Sequence, residues 1–393
     1  MAVDFPSSPT PGQAYTQGGV TWTWDGVKWV AQGTGTGIYL PLAGGVMTGD
    51  ITLKGDPSAP LHPVTKQMLD ARALAMNDNR IINGDMRIDQ RNGGASGTAN
   101  GYPVDHWLFA GTQASKGTWV RGGPDINAVT PTGFAYYLQF TSSSSYTPLA
   151  ADYFNFMQAI EADVISDFAF GTVNAKPVTL SFWASTTAPG TYSGTLRNYA
   201  GTRSYPFTFS LPVVGFTKVI VNIPGDTGGT WAMGGNAAAM LVGFDLGSGA
   251  TFRGPANGSW QNGNFIGANG AASIVATNNA LLAFTGVKLE VGSVATPFNR
   301  QSLAKSLADC QRYYQTGVFD FNAYGAASSA VSTFNSFQPM RVVPTITYSG
   351  ITYNNCSGAT AASLSPSGIK TYVVVGALGG LNATGNFTAS AEL

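Results

Sequence analysis

Apolar and polar residues alternate over many short stretches in the middle of the chain. Phe134, Tyr136, Leu138 and Phe140 are each separated by one other residue. The same pattern recurs at residues 178–182, 207–211, 219–223, 239–246 and 287–291. A period of two puts apolar side chains on one face of a strand, and the Gly-, Asn-, Ser- and Pro-rich stretches between the runs are typical of loops. Residues 80–305 are therefore predicted to form a β-sandwich of about eight or more strands.

The sequence after this region predicts one short helix and a second β-domain. Leu303, Leu307 and Cys310 have helical spacing, and Ser302 precedes them. A serine at this position caps a helix because its hydroxyl accepts a backbone hydrogen bond from the first turn. Alternation then returns in QRYYQTGVFDF, TITYSGITYN and TYVVVGAL. Residues 306–393 are therefore predicted to be a small C-terminal β-domain, and the fold class as a whole is predicted to be all-β.

The N-terminal segment contains a hairpin pattern. In VTWTWDGVKWV, an alternating run leads into Asp25-Gly26, which is a turn signal, and a second apolar run follows. An isolated hairpin is only marginally stable in water, so we expect residues 1–38 to attach to another structure. Its three tryptophans are expected to hold this unit together: Trp22, Trp24 and Trp29.

The next two segments predict a turn unit and an oligomerising helix. Residues 39–60 contain Gly-Gly and Thr-Gly steps, which are typical of turns, around a short alternating stretch. Residues 61–79 carry apolar residues spaced by 4, 3 and 4 positions: Val64, Met68, Ala71 and Ala75. This is the spacing of a coiled-coil seam. A helix of about 15 residues is near the limit of stability alone in water, so partner helices are expected.

The amino-acid composition argues against several classes of function. Only 10% of residues are charged and the formal net charge is zero, so no strong positive field attracts a nucleic acid. The two cysteines, Cys310 and Cys356, do not make a disulfide scaffold, and reduced thiols are expected. The N-terminus lacks the pattern of a signal peptide, and no apolar run reaches the ~20 residues of a membrane span. We expect synthesis in a cytoplasm, no membrane insertion, and a structural or binding role.

Several segments resemble one family when they are taken in order. YLPLAGGVMTGDITLKGDPSAPLHPVTKQMLDARA is similar to the short repeat of tailed-bacteriophage tail fibres. NRIINGDMRIDQRNGG, KPVTLSFWAST, GVKLEVGSVATPFNRQS and CQRYYQ resemble a jelly-roll module of phage tail-fibre and receptor-binding proteins, which is itself similar to carbohydrate-binding β-sandwiches. MRVVPTITYSG and FTASAEL resemble the small domain that often follows this module.

The resemblance implies a virion protein. It implies a homotrimer in the tail of the particle, with residues 1–38 bound to other tail or baseplate proteins and the distal domains facing host surface polysaccharide. Two alternatives stay open: a tailspike that depolymerises glycan, and an architectural head or baseplate protein that binds no receptor.

Side chains suited to catalysis are sparse. There are two histidines, and His106 with a serine could form a dyad, but a hydrogen-bonded histidine inside the sandwich is the favoured interpretation. Glycoside hydrolysis needs a pair of carboxyl groups about 5–10 Å apart. The candidates are Asp85, Asp89, Asp105, Glu161, Asp163 and Glu290. Nothing in their sequence contexts indicates a cleft, so we expect no enzymatic activity.

No cofactor is expected, and a metal is a weak expectation. Sandwiches of the kind that the sequence resembles often hold a structural Ca²⁺ near the first strand, which here points to Asp85 and Glu290. Calcium needs six to eight oxygen ligands. The sequence offers at most three at this place, so a turn with a capping carboxylate is the favoured interpretation.

Glycan binding needs aromatic faces and polar side chains. Aromatic residues suit this because they lose little rotamer freedom on binding. Five candidates lie in polar stretches that are predicted to be loops: Trp231, Trp260, Tyr199, Tyr205 and Arg203. The alternative for each aromatic residue is that it closes the end of the sandwich. Trp107 and Trp183 lie in strand-like runs and are predicted to pack in the core or between the sheets.

Overall fold

The computed structural model describes residues 4–32, 79–125, 131–212 and 215–393. The chain divides into two compact units, Met1–Thr65 and Lys66–Leu393. The predicted turn unit at 39–60 and the seam of the predicted helix lie outside the described residues, so Val64, Met68, Ala71 and Ala75 stay predictions. No helix in the described ranges is both long enough and apolar enough to span a membrane.

The N-terminal unit is a three-stranded antiparallel sheet. Its strands are β1 (Ala14–Gln17), β2 (Val20–Trp24) and β3 (Trp29–Gln32). The predicted hairpin is β2–β3, and the Asp25 carboxylate accepts the backbone N–H groups of Val27 and Lys28, both at 2.8 Å, which fixes the turn. The Phe5 ring stacks on Trp29 at 5.3 Å and meets the edge of Trp22, so the aromatic residues stabilise the sheet.

The second unit begins with two antiparallel sheets. The larger has seven strands in the order β15 (Gln261–Asn262), β11 (Arg203–Leu211), β10 (Gly190–Asn198), β13 (Ala238–Ser248), β8 (Tyr153–Glu161), β5 (Trp107–Gly111) and β4 (Gly101–Val104). The smaller has five, in the order β12 (Thr217–Ile223), β9 (Val178–Thr186), β17 (Leu281–Val291), β7 (Tyr137–Ser142) and β6 (Gly117–Gly122). A short parallel pair, β14 (Arg253–Gly254) and β16 (Gly267–Ala268), lies outside them. Short 3₁₀ helices occupy Asp163–Phe168, Ala250–Phe252 and Ile274–Ala276.

One hydrophobic core joins the two sheets, which makes this part of the chain a β-sandwich. Phe244 of the larger sheet stacks on Phe284 of the smaller, with ring centroids 4.1 Å apart, and meets Phe182 edge-on at 4.9 Å. All three rings are buried. The alternating apolar residues of the sequence supply this core, and the prediction of an all-β chain is confirmed.

A bulge interrupts β17, at a point where only glycine fits. The pairing of β17 with β9 shifts register between Thr285 and Lys288. Gly286 has φ +61°, and a Cβ there would lie 2.4 Å from the Phe134 ring. Beyond the bulge, the Lys288 ammonium lies 2.8 Å from the Glu290 carboxylate, and both side chains are buried.

The helix α1 (Leu303–Gln311) leads into a smaller β-structure with its own core. The Ser302 hydroxyl accepts the Lys305 N–H at 3.2 Å, as the sequence predicts for a cap. Two three-stranded sheets follow, β18 (Tyr314–Gly325), β23 (Gly379–Ser390) and β20 (Thr345–Asn354), and β19 (Ala330–Ser336), β22 (Gly368–Val375) and β21 (Cys356–Ser365). Both cysteines are free thiols. The predicted boundary between residues 305 and 306 stays a prediction.

Trp107 and Trp183 differ in their surroundings. Trp107 is fully buried in the core, as predicted. Trp183 is half-buried on the outer face of β9, where it lines a cavity with Lys218 and Arg300. The prediction of core packing was wrong for Trp183, because its strand neighbours Phe182 and Ala184 point into the core and the pleat turns Trp183 the other way.

Replacing Phe244 with Ala is expected to lower the free energy of unfolding by about 3–5 kcal/mol, because it removes a buried ring and leaves a cavity. Urea denaturation of the full chain, followed by circular dichroism, measures the change. Val173→Ala is the control, since Val173 is 91% exposed and its truncation is expected to cost less than about 0.5 kcal/mol. Equal losses in both variants would contradict the assigned core.

Candidate functional site

A cavity opens on the outer face of the seven-stranded sheet. Side chains alternate across a strand, so while Phe156 and Leu196 enter the core, Met157 and Arg197 point outward. The cavity has a volume of about 340 Å³. Its lining combines an apolar floor with aromatic and charged walls: Tyr102, His106, Leu108, Met157, Ala159, Arg197, Tyr199, Leu241, Glu392 and Leu393. We call it the outer-face pocket.

The segment from β14 to β16, residues 253–268, lies over one side of this face, and we call it the excursion. The Asn264 side-chain oxygen accepts a hydrogen bond from the Arg197 guanidinium. Gly267 packs so closely over the sheet that a Cβ would lie 2.1 Å from a carboxylate oxygen of Asp245. Asp245 is fully buried beneath it, and burial raises the pKa of its carboxyl. The excursion therefore covers the part of the face that carries Asp245 and leaves the part near Arg197 open.

The last residues of the sequence form one wall of the outer-face pocket. The Arg341 guanidinium donates hydrogen bonds to the backbone carbonyls of Ala391 at 2.5 Å and Glu392 at 2.8 Å. The Glu392 carboxylate lies 2.6 Å from the Arg91 guanidinium and 2.9 Å from His106 Nδ1. These contacts hold Glu392 and Leu393 at the edge of the pocket.

The negative charge of the Glu392 carboxylate is balanced by Arg91 and His106. Burial raises the pKa of its carboxyl, but the hydrogen bond and charge of His106 and the charge of Arg91 outweigh this effect, so the pKa lies below its usual value. The Arg91 guanidinium also lies over the rings of Tyr102 and Tyr314, with distances of 4.4 Å and 3.6 Å to their centroids. The wall therefore carries a carboxylate that already has two partners.

Arg197 differs from this arrangement, because no carboxylate balances its charge. It is only 9% exposed, and burial lowers the pKa of its guanidinium. Its two hydrogen-bond partners are Asn264 and the Met157 sulfur, the latter at 3.9 Å. Across the described part of the chain, no carboxylate lies within 4 Å of it.

The turn between β10 and β11 places Tyr199 at the mouth of the pocket. The Asn198 side-chain oxygen accepts the N–H groups of Thr202 at 2.9 Å and Arg203 at 3.0 Å. This fixes the turn in which Gly201 has φ +69°. Tyr199 follows Asn198 directly and is 49% exposed, so its ring has a free face beside Arg197.

Four of the five predicted glycan-binding residues come together elsewhere, in a cluster that packs against the core of the sandwich. The Trp231 and Trp260 rings meet edge-to-face at 5.6 Å, and Tyr205 lies 5.3 Å from Trp260. The Arg203 guanidinium and the Trp231 Nε1–H both bind the Asp226 carboxylate. Packing and hydrogen bonds thus account for this cluster.

Burial decides how these four residues can act. Trp231 is 6% exposed and Tyr205 is 5% exposed, so protein atoms occupy their ring faces. This matches the alternative that aromatic residues close the end of the sandwich. Trp260 is half-buried, and its Nε1–H donates to the Pro224 carbonyl at 2.7 Å. Glycan contact by these residues stays a prediction, and of the five only Tyr199 lines the outer-face pocket.

The sequence analysis did not select Arg197, although a signal was present. In SGTLRN, Leu196 and Arg197 are consecutive strand residues, so one had to face the core and the other had to face away. A charged residue in mid-strand, in a chain with 20 lysines and arginines among 393 residues, marks the outer face of that strand.

The two weak calcium candidates have cationic partners. The Asp85 carboxylate lies 2.5 Å from the Arg87 guanidinium, and Glu290 is paired with Lys288 and also accepts the Thr296 N–H at 2.9 Å. Among residues that the structure describes, no three His, Cys, Asp or Glu side chains come together as a metal site. These carboxylates therefore act as partners of neighbouring cations.

The other carboxylates considered for catalysis are mostly engaged as well. Asp89 accepts the backbone N–H groups of Asn92 and Gly94, and Asp105 accepts the Gln90 N–H at 3.0 Å. Glu161 receives a bidentate contact from Arg312, at 2.9 and 2.7 Å, and the Tyr313 hydroxyl at 2.6 Å. Asp163 is exposed at the start of a 3₁₀ helix. His106 is paired with Glu392, in agreement with a hydrogen-bonded histidine.

Comparisons with known proteins give distant likenesses. No family model and no curated protein matches the sequence. Solved structures that resemble it include the enzymatically active domain of tailspike protein 4 of bacteriophage CBA120, with TM-score 0.29, 15% identity and coverage of 55% of this chain. The match spans only 21% of that tailspike chain.

Two carbohydrate-binding modules are also similar. The family 11 module of a Clostridium thermocellum cellulosomal cellulase has TM-score 0.26 and 9% identity, over 52% of this chain and 100% of that one. The CBM22-1 xylan-binding domain from Paenibacillus barcinonensis has TM-score 0.24 and 9% identity, over 56% and 97%. Scores and identities this low carry no inference about what the present chain binds.

Replacing Glu392 with Gln is expected to lower the melting temperature of the full chain at pH 7, since the contacts with Arg91 and His106 lose their charge. The folded-state pKa of Glu392 lies below its usual value of 4.5, so the stabilisation is complete above pH 4.5 and is lost as the pH falls through the lowered pKa. The melting temperatures of variant and wild type should therefore converge below pH 4.5. Asp163→Asn, on an exposed residue, is the control. A difference that is the same at pH 7 and pH 3 would contradict this assignment.

Proposed function

We propose that this chain binds glycan in the outer-face pocket, without cleaving it, as part of a homotrimeric tail fibre that attaches a tailed bacteriophage to its host. The observation that carries the binding site is the exposed Tyr199 ring beside the buried Arg197, over an apolar floor. Sugar rings have one apolar face and a polar rim of hydroxyls, and this arrangement offers a surface for each.

The size and lining of the pocket support this ligand class. A volume of about 340 Å³ lies at the small end of the range of about 300–1,000 Å³ for ligand sites, which favours a short segment of glycan. Leu108, Ala159 and Leu241 give the apolar floor, and Tyr102 adds a second aromatic wall. The neutral net charge of the chain agrees with a ligand that is not a nucleic acid.

The acidic side chains around the pocket support binding without cleavage. Hydrolysis needs one protonated and one ionised carboxyl group on either side of the scissile bond. Glu392 is the acidic side chain in the described lining of the pocket, and it is held by Arg91 and His106. Burial raises the pKa of Asp105, but Asp105 does not line the pocket. A facing pair is therefore missing from the described lining.

The sequence supports the two other parts of the proposal, the trimer and the location in a phage tail. The spacing of Val64, Met68, Ala71 and Ala75 predicts a coiled-coil seam, and the ordered segments resemble phage tail fibres. Trimerisation makes weak sites useful. A site of millimolar strength contributes about −4 kcal/mol, and several sites engaged together can gain about 10²–10⁴ in avidity.

Tyr199→Ala is expected to reduce glycan binding about tenfold or more, because the sugar ring loses a stacking face and its buried area. Binding of the full chain to an array of bacterial surface oligosaccharides and polysaccharides measures the effect. Tyr324→Ala is the matched control, since Tyr324 is 73% exposed and lies outside the pocket lining.

The same array tests the alternatives. Release of new reducing ends from bound polysaccharide would point to a depolymerase and contradict the proposed absence of cleavage. Absence of binding by the wild-type chain to every glycan on the array and to host cells would contradict the proposed site and favour an architectural role.

Met68→Asp is expected to convert the trimer to monomers, because a charge in the predicted seam repels its copies. Sedimentation equilibrium of the full chain measures the mass, with Lys66→Ala, outside the seam, as the control. A wild-type chain that sediments as a monomer of 40.8 kDa would contradict the trimer.

A further inference from the structure

We propose that the outer-face pocket selects glycans that carry a carboxylate, and that Arg197 is the residue that binds this group. The ligand class is thus acidic sugars, such as hexuronic and nonulosonic acids. The inference rests on the proposed function, since it names the kind of glycan that the same site takes.

The first step is that Arg197 is an uncompensated cation. A buried charge is costly unless a partner and hydrogen bonds offset the lost hydration. Arg197 is 9% exposed, yet its partners are an amide oxygen and a thioether sulfur. Neither partner carries a negative charge, so an anion in the pocket would remove the imbalance.

Three other arginines of the same unit contrast with Arg197. Arg203 binds the Asp226 carboxylate, and Arg312 binds the Glu161 carboxylate with two nitrogens. Arg253 has no carboxylate partner in the described ranges, but it donates to the backbone carbonyls of Ser248 and Ala271. Each of these has a structural role that its contacts explain, whereas the contacts of Arg197 leave most of its donors unused.

The unused donors are suited to a carboxylate. A guanidinium has five N–H groups, and Arg197 uses two of them, one for Asn264 and one for Met157, so three have no partner in the described residues. The planar fork of a guanidinium matches the two oxygens of a carboxylate, and such contacts are stronger than neutral hydrogen bonds.

The other side chains of the described lining do not supply the missing anion. Glu392 is the acidic side chain among them, and its two oxygens are bound to Arg91 and His106. Tyr199, which lines the pocket together with Arg197, has a hydroxyl able to bind a sugar hydroxyl and an exposed ring. Carboxylate and sugar ring would thus be held by neighbouring residues, Arg197 and Tyr199.

The experiment compares matched pairs of ligands. Oligosaccharides that contain uronic or nonulosonic acids are measured on the full chain beside the same molecules after reduction of the carboxyl to a primary alcohol. Wild type is expected to bind the acidic member roughly ten- to a hundredfold more tightly, which is the worth of a charge-assisted hydrogen bond. Arg197→Gln is expected to abolish the preference, so that the acidic and the reduced member of each pair bind with equal affinity.

Two further variants make the result specific. Arg197→Lys keeps the charge but lacks the fork, so an intermediate preference is expected. Arg300→Gln removes a positive charge from an exposed residue that lines the cavity of Trp183 on the other sheet, and it should keep the full preference. Thermal melting of each variant verifies that it folds. The comparison of paired ligands on the wild-type chain needs no variant, so it tests the preference for a carboxylate even where a variant fails to fold.

The outcomes separate this inference from the proposed function. Equal binding of acidic and reduced members, both lost in Tyr199→Ala, would leave glycan binding in place and overturn carboxylate selection. A preference that survives in folded Arg197→Gln would overturn the role of Arg197. Binding of neither member of any pair would overturn carboxylate selection, and it would overturn the proposed function as well if the wild-type chain also binds no other glycan on the array and no host cells.

Discussion

The pleat of the seven-stranded sheet is the constraint on which the rest depends. Each strand must give every second side chain to the aromatic core between the sheets, where Phe244, Phe284 and Phe182 meet. The side chains between them point away from the core and do not pack in it. Met157 and Arg197 are two of these, and they lie together on the outer face. The core therefore fixes the spacing of the site to the strand repeat, and any residue that shifted register would move core and site together.

The pocket also depends on residues that are far apart in the sequence. Its floor comes from strands of the sandwich, and one wall comes from Glu392 after the last strand of the second β-structure. Asn264, from a separate segment, fixes the Arg197 guanidinium without lining the pocket. The contacts of Arg91, His106 and Arg341 bring the Glu392 segment back to the sheet. The smaller β-structure thus contributes to the site through its final residues, beyond forming a core of its own.

The sequence predicted well whatever depends on local periodicity. The period of two marked the strands, Asp25-Gly26 marked the hairpin, and Ser302 marked the helix start. It did not distinguish packed aromatic residues from free ones. Trp231 lies in a polar loop but is buried through the Asp226 contact, while Trp183 lies in a strand but faces outward. Such outcomes are decided by partners distant in the chain, and a one-dimensional pattern does not contain them.

The anchoring of Ala391 and Glu392 by Arg341 has a practical consequence. Leu393 lies in the lining of the pocket, so a polypeptide fused after it would emerge at the rim and compete with a ligand for space. Affinity tags, fluorescent reporters and surface-coupling handles at that position would therefore depress binding signals for reasons unrelated to affinity. Labels on an exposed residue outside this lining, such as Val173, avoid that artefact.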